Sequence, residues 1–137
     1  MTQAIKTEIL RLHKDFADWY NAKVTKENKI FNSKITNTLD KNFHIVLPDG
    51  YEYNKDSFCK MVYKDYGTDK DFLIKIKYLK IRKLEPNLFL ARYEEWQYFD
   101  KNIQSKRTTV SILKKDKKSK IIWIHIHESP IKYTPEM

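Results

Sequence analysis

A chain of 137 residues carrying 27 Lys and Arg against 18 Asp and Glu has a formal net charge of +9, with one cysteine and two glycines. That length buries a core unaided, while Cys59 alone excludes an internal disulfide or a Cys-rich zinc site and favours a reducing compartment. With Gly50 and Gly67 the only glycines, a P-loop and a dinucleotide fingerprint are both excluded.

In chain order, Thr2 to Val24 reads as a helix capped by Thr2. Ile5, Ile9, Leu12, Phe16 and Trp19 recur at spacings of three and four on one stripe, with charged residues opposite. His13 flanks that stripe and reads as an ordinary boundary residue. A polar loop leads to a second helix over about Phe31 to Lys41, from the four-residue spacing of Phe31, Ile35 and Leu39. Phe43 to Leu47 is a strand, which Pro48-Asp49-Gly50 turns into Tyr51 to Tyr53. Asn54 caps a third helix, Lys55 to about Tyr66, with Phe58, Met61, Val62 and Tyr66 inward and Gly67 closing it. Cys59 lies in this helix as an inert thiol.

The remainder is β: Phe72 to Leu84, Leu88 to Phe99, Gln104 to Lys114 and Ile121 to Ser129. Turns at Glu85-Pro86-Asn87 and Asp100-Lys101-Asn102 and a lysine-rich loop join them. Helices followed by this meander imply an α+β fold: a cone of about three N-terminal helices on a strongly bent antiparallel sheet of four long strands plus a short hairpin. One domain over residues 1–137 is expected, ordered over about 3–130, with only the tail from Pro130 loose. Such a cone encloses a cavity suited to a small-molecule ligand.

The basic residues invite a nucleic-acid reading. Only Arg11, Arg82, Arg92 and Arg107 are arginines, and the lysines are scattered along a chain also rich in Asn, Ile and Tyr. That pattern reads as compositionally biased, solvated surface and argues against a nucleic-acid partner. No stretch approaches about 18 apolar residues and the first residues lack a signal-peptide pattern, so a cytoplasmic protein with no membrane partner is expected.

Alternation puts Trp123, His125 and His127 on one face of the last strand and Ile122, Ile124 and Ile126 on the other. With hairpin turns centred near Lys101 and Lys117, Glu94 and Trp96 fall beside Arg107 and Thr109, and these beside Trp123, His125 and His127. Phe89, Ala91, Tyr93, Val110 and Ile112 share the opposite, apolar face. Two readings follow. The polar face lines the cavity while the apolar face meets a second subunit, or the apolar face is the helix-covered core. The tryptophans beside ionisable groups favour the first. His125, His127 and Glu94 are then the candidate catalytic groups, able to move protons near neutrality. Trp19, Trp96, Arg107, Thr109 and Trp123 are the candidate ligand-binding residues, Arg107 offering a fork to a carboxylate. His-x-His alone is a weak metal signal, and no metal and no cofactor are expected.

Phe16-Ala17-Asp18-Trp19-Tyr20, Phe43 to Gly50, Tyr93-Glu94-Glu95-Trp96-Gln97 and Trp123 to Ser129, in that order, resemble the SnoaL-like branch of the nuclear transport factor two-like superfamily. The closing segment is also similar to the association domain of calcium/calmodulin-dependent kinases. The resemblance implies the cone-shaped α+β fold and a homodimer through the outer sheet face. It also implies either a cofactor-independent isomerase or dehydratase, or a non-enzymatic association module. The arginines of the kinase-type pocket appear here as Glu94 and Glu128, with Arg107 close to the third basic position.

Overall fold

The computed structural model describes residues 2–131; the expected loose tail lies, from residue 132 on, outside them. Helix α1 (Thr2–Tyr20) buries Ile5, Ile9, Leu12, His13, Phe16 and Trp19 as one stripe. It stops four residues short of the expected end, because Ala22 takes a left-handed φ of 58°. Gly67 N–H then donates to the Trp19 carbonyl at 3.1 Å and Asp69 N–H to that of Tyr20 at 3.1 Å, so the end of α1 is capped by the loop after α3.

The second helix, α2 (Asn28–Lys34), begins and ends earlier than the spacing implied. Ile35, at φ −122°, closes it, Thr36–Thr38 forms a 3₁₀ turn, and Leu39 already starts β1 (Leu39–Val46). Leu39, four residues after Ile35, is buried as the first residue of a strand and pairs with Trp123. Strand β2 (Glu52–Asn54) precedes α3 (Lys55–Lys64), whose Asn54 accepts from Ser57 N–H at 2.9 Å while Asn54 N–H donates to Ser57 Oγ at 3.1 Å. This reciprocal capping box satisfies two donors that the first turn would leave open.

Strands β3 (Phe72–Glu85), β4 (Leu88–Phe99), β5 (Asn102–Lys115) and β6 (Ile121–Pro130) form the meander. Among the described residues the sheet is six-stranded, ordered β2-β1-β6-β5-β4-β3. Its pairings are antiparallel except β1 with β6, which is parallel and makes the sheet mixed. The α+β cone expected from the sequence is thus the fold observed.

Helices cover one face of this sheet, and the core lies between. Trp19 donates through Nε1 to the Val62 carbonyl at 2.9 Å, fixing α1 to α3, and Trp123 donates to Glu8 Oε2 at 2.7 Å, fixing β6 to α1. Burial of large side chains such as Trp19, Trp123, Phe43, Phe89 and Leu113 contributes about 1.5–3 kcal/mol each. Asn21 clamps the start of β3, accepting from Phe72 N–H at 2.9 Å and donating to its carbonyl.

Two one-residue bulges decide which side chains face the helices. The β4–β5 hairpin turns through Asp100 and Lys101, both left-handed, and pairs Phe99 with Asn102 and Tyr98 with Ile103. Gln104 is then extra, so Gln97 pairs with Ser105 and Glu95 with Arg107. Between β5 and β6, Leu113 pairs with Trp123 but Ile112 with His125, leaving Ile124 extra. Each bulge exchanges the two faces beyond it.

Candidate functional site

A cavity of about 430 Å³ opens between α1, α3 and the curved sheet, within the size range of small-molecule sites. Phe16, Phe58, Phe72, Ile45, Ile74 and Ile126 give it apolar walls, and its polar groups are His13 and Tyr20 from α1, Asp69, Glu95 and Gln97 from β4, Gln104, Ser105 and Arg107 from β5, and Glu128 from β6.

The sequence-based face assignment is corrected here. The Gln104 bulge turns Glu94 and Trp96 away from Arg107 and brings in Glu95 and Gln97; the Ile124 bulge turns His125 and His127 outward and brings in Ile126 and Glu128. Of the residues singled out, Arg107 lines the cavity. Thr109 lies on the same face, fully buried and paired in register with Glu128. Trp19 is packed among Phe31, Tyr63 and Tyr66, and Trp123 lies in the core beside His13. Glu94, Trp96, His125 and His127 share the outer face, where Trp96 donates to Glu94 at 2.9 Å and the two imidazole centroids are 6.1 Å apart. That face also carries Val110, Ile112 and Ile122, half-buried. Among the described residues no cluster of three or more His, Cys, Asp or Glu has metal-binding geometry.

His13, Glu95 and Glu128 carry the electrostatics. His13 Nδ1 is 2.7 Å from the Ile9 carbonyl and Nε2 is 3.1 Å from Glu95 Oε1. Both neighbours only accept, so both ring nitrogens bear protons and the imidazole is cationic. Burial opposes that charge, but Glu95 and the Ile9 carbonyl together raise the His13 pKa above its ordinary value.

Burial also works against the Glu95 carboxylate, yet His13, Arg107 and the Gln97 amide, which donates at 2.6 Å, hold it down at about 2. Glu128 has the opposite fate. Burial and the charge of Glu95 push it up to about 8, against the pull of Arg107 and His13. Two carboxyl groups on interior strands β4 and β6, with β5 between them, are thus driven apart, one held down as an anion and one pushed up toward the neutral acid. Arg107 Nη1 donates to Glu128 Oε1 at 3.1 Å, a contact that favours the carboxylate against the burial that raises it.

Arg107 Nη2 also donates to Gln97 Oε1 at 3.2 Å and Ser105 Oγ at 3.0 Å. Its Nε, like Thr109 Oγ1, is buried without a protein partner. Beneath the cavity Tyr93 hydroxyl and Ser111 Oγ, 3.0 Å apart, complete the polar floor, and burial keeps both Tyr93 and Tyr20 protonated.

His13, Glu95 and Gln97 were missed by sequence reasoning, which reached Glu128 only through the resemblance to the kinase-type pocket. His13 had a signal: it stands four residues after Ile9 on the apolar stripe, where an imidazole is buried and needs a partner.

A bent sheet with helices on one face and a cavity between them is the nuclear transport factor two-like fold. The same architecture recurs in an NTF-2 like protein of unknown function from Pseudomonas aeruginosa, at TM-score 0.85 and 19% identity over 94% of this chain and 99% of that one. It recurs in the CaMKII association domain of C. elegans, at TM-score 0.66 and 13% identity over 93% and 96% of the two chains. A ketosteroid isomerase-like protein of Parabacteroides distasonis aligns at TM-score 0.63 and 12% identity over 90% and 86%. Residues 7–132 match the family model described as sucrose-6-phosphate phosphohydrolase C-terminal, and the chain belongs to that family. No curated protein matches it.

Proposed function

We propose that this chain is a small-molecule-binding domain whose cavity takes a ligand bearing a carbonyl or carboxylate oxygen, and that Glu128 is its proton donor. The observation that carries the reading is the buried Glu128 carboxyl, 3.1 Å from Arg107 inside a partly apolar cavity, where burial and Glu95 raise its pKa. His13 and Arg107 stand against the carboxylates Glu95 and Asp69 in the lining, so with Glu128 neutral the charges balance and an oxyanion forming on the ligand is met by Arg107 and the Glu128 proton. Glu128 and Arg107 would converge on one oxygen, the acid lending its proton and the guanidinium its charge, as stabilisation of a developing oxyanion requires. Cofactor-independent isomerisation or dehydration is the matching reaction class. The His13–Glu95 pair acts as a fixed dipole, since a carboxylate at about 2 is a weak base.

The test is an NMR screen of monocarboxylates, small ketones and neutral polyols against the labelled protein. Binders are expected among the first two groups, shifting the amides of Gln97, Arg107 and Glu128 and losing affinity in Arg107→Met. Binders that shift only outer-face amides would overturn the reading.

The outer face favours a second one. Val110, Ile112 and Ile122, with His125 and His127, form an apolar patch on β5 and β6 that a second copy of the chain would cover, giving a homodimeric association module. The association-domain neighbours agree with this reading. Light scattering decides it: a monomer at high concentration removes the dimer, and Ile112→Lys is expected to dissociate one that exists.

A further inference from the structure

Lysines that look scattered in sequence are collected by the period of two along β3. Lys75, Lys77, Lys80 and Arg82 all reach the outer face, the β3 bulge at Tyr78 and Leu79 keeping the last two in phase. In register beside them, Trp96 pairs with Lys75 on one side and Lys106 on the other, Glu94 with Lys77, and Arg92 with Lys80. Six cations thus share a surface with the one carboxylate Glu94, so five of the chain's net +9 charges lie here. Glu94 is already engaged, accepting from Trp96 Nε1 at 2.9 Å.

Aromatic rings are interleaved with these cations. Lys106 Nζ stands 3.9 Å and Lys77 Nζ 5.3 Å from the Trp96 centroid, and Lys75 Nζ 5.1 Å from that of Tyr98. Tyr78 occupies a left-handed φ of 57°, a conformation bulky side chains rarely adopt, and its ring is 68% exposed, 6.5 Å from Trp96. That conformation sits at the bulge, which turns Leu79 and Ile81 back onto the core and leaves the Tyr78 ring out in water between the lysines.

We propose that the outer face of β3, β4 and β5 binds single-stranded nucleic acid, its bases stacking on Tyr78, Trp96 and Tyr98 and its phosphates held by the surrounding Lys and Arg side chains. The combination selects this occupant. An acidic peptide answers the charge but has no flat faces for the rings, and a duplex hides its base faces in the stack. Single strands offer both a polyanionic backbone and open π-faces. From Lys75 to Arg82 the strand runs about 20 Å, enough for about three to four nucleotides. The site is on the opposite side of the sheet from the cavity and does not depend on it.

The test is fluorescence anisotropy with labelled oligo-dT and oligo-U of about 12 nucleotides and a duplex of equal length, at roughly 50 mM salt. Single strands are expected to bind, with affinity falling about fiftyfold when salt is raised fourfold, as about four neutralised phosphates imply. Trp19 and Trp123 are 1% and 0% exposed, so quenching of intrinsic fluorescence reports on Trp96. The triple variant K75E/K77E/K106E is expected to weaken binding at least about tenfold, and K64E/K117E/K118E, of equal charge change elsewhere, no more than about threefold. Tyr78→Gly removes the ring while relieving the left-handed φ, so it keeps the fold and should cost about tenfold. No binding at low salt, equal loss in both charge-reversal variants, indifference to Tyr78→Gly, or equal binding of the duplex or of anionic lipid vesicles would each overturn the proposal.

Discussion

Replacing Glu128 by Gln keeps the shape of the side chain and its acceptor toward Arg107 but removes its proton equilibrium. In the wild type the folded-state value is about 8, against 4.5 for an unperturbed glutamate. Between those two values the folded protein holds a proton that the unfolded chain has released, so stability falls as pH rises through this window. At 1.36 kcal/mol per unit the whole shift sets a ceiling of about 5 kcal/mol, reached only above pH 8. Water entering the cavity around an ionised Glu128 returns part of it, and about 2 kcal/mol is the expected loss between pH 5 and pH 9. Groups remote from Glu128 are common to both proteins and cancel in the difference, while His13 and Glu95, which feel its charge, shift with it. Urea denaturation across this range should therefore give curves that agree near pH 5 and diverge upward in pH, with E128Q more stable by about 2 kcal/mol at pH 9. Parallel curves would refute the assignment of Glu128 as the neutral acid.

Other predictions follow from the same contacts. His13→Gln leaves Glu95 buried without its cation, costs about 3 kcal/mol by chemical denaturation at pH 7, and raises the Glu95 value, read by carboxyl NMR. Glu95 itself is depressed, so its contribution is present above about pH 4.5 and is lost as pH falls toward 2; Glu95→Gln should abolish that acid limb of the stability profile. Asn54→Ala breaks the capping box of α3 and costs about 1 kcal/mol, visible as a lowered thermal midpoint. Trp123→Phe removes the 2.7 Å bond to Glu8 and leaves a small void, for a loss of about 2 kcal/mol.

The fold was legible where local signals and period agreed. Asn54 as a cap, Gly50 in its turn, the α1 stripe and the ends of the long strands all reported physical requirements confined to a few neighbouring residues. Of the site, the sequence placed Arg107 on the cavity face, and His13 had its signal in the α1 stripe. Placing the others needed the register of β4 through β6, and one extra residue, Gln104, exchanges Glu94 for Glu95, while another, Ile124, exchanges His127 for Glu128. A bulge leaves no compositional trace in these strands, because neither position carries Gly or Pro. The charged outer face was hidden for a related reason: β3 lines its cations up only once its side chains alternate about a formed sheet.

If one cavity keeps Glu128 neutral and Glu95 anionic, ¹³C NMR titration of the glutamate side-chain carboxyls shows it, with E128Q and Glu95→Gln assigning the two signals. Glu128 is expected to titrate near 8 while Glu95 stays ionised down to about 2; two ordinary carboxylates titrating together near 4.5 would rule the arrangement out.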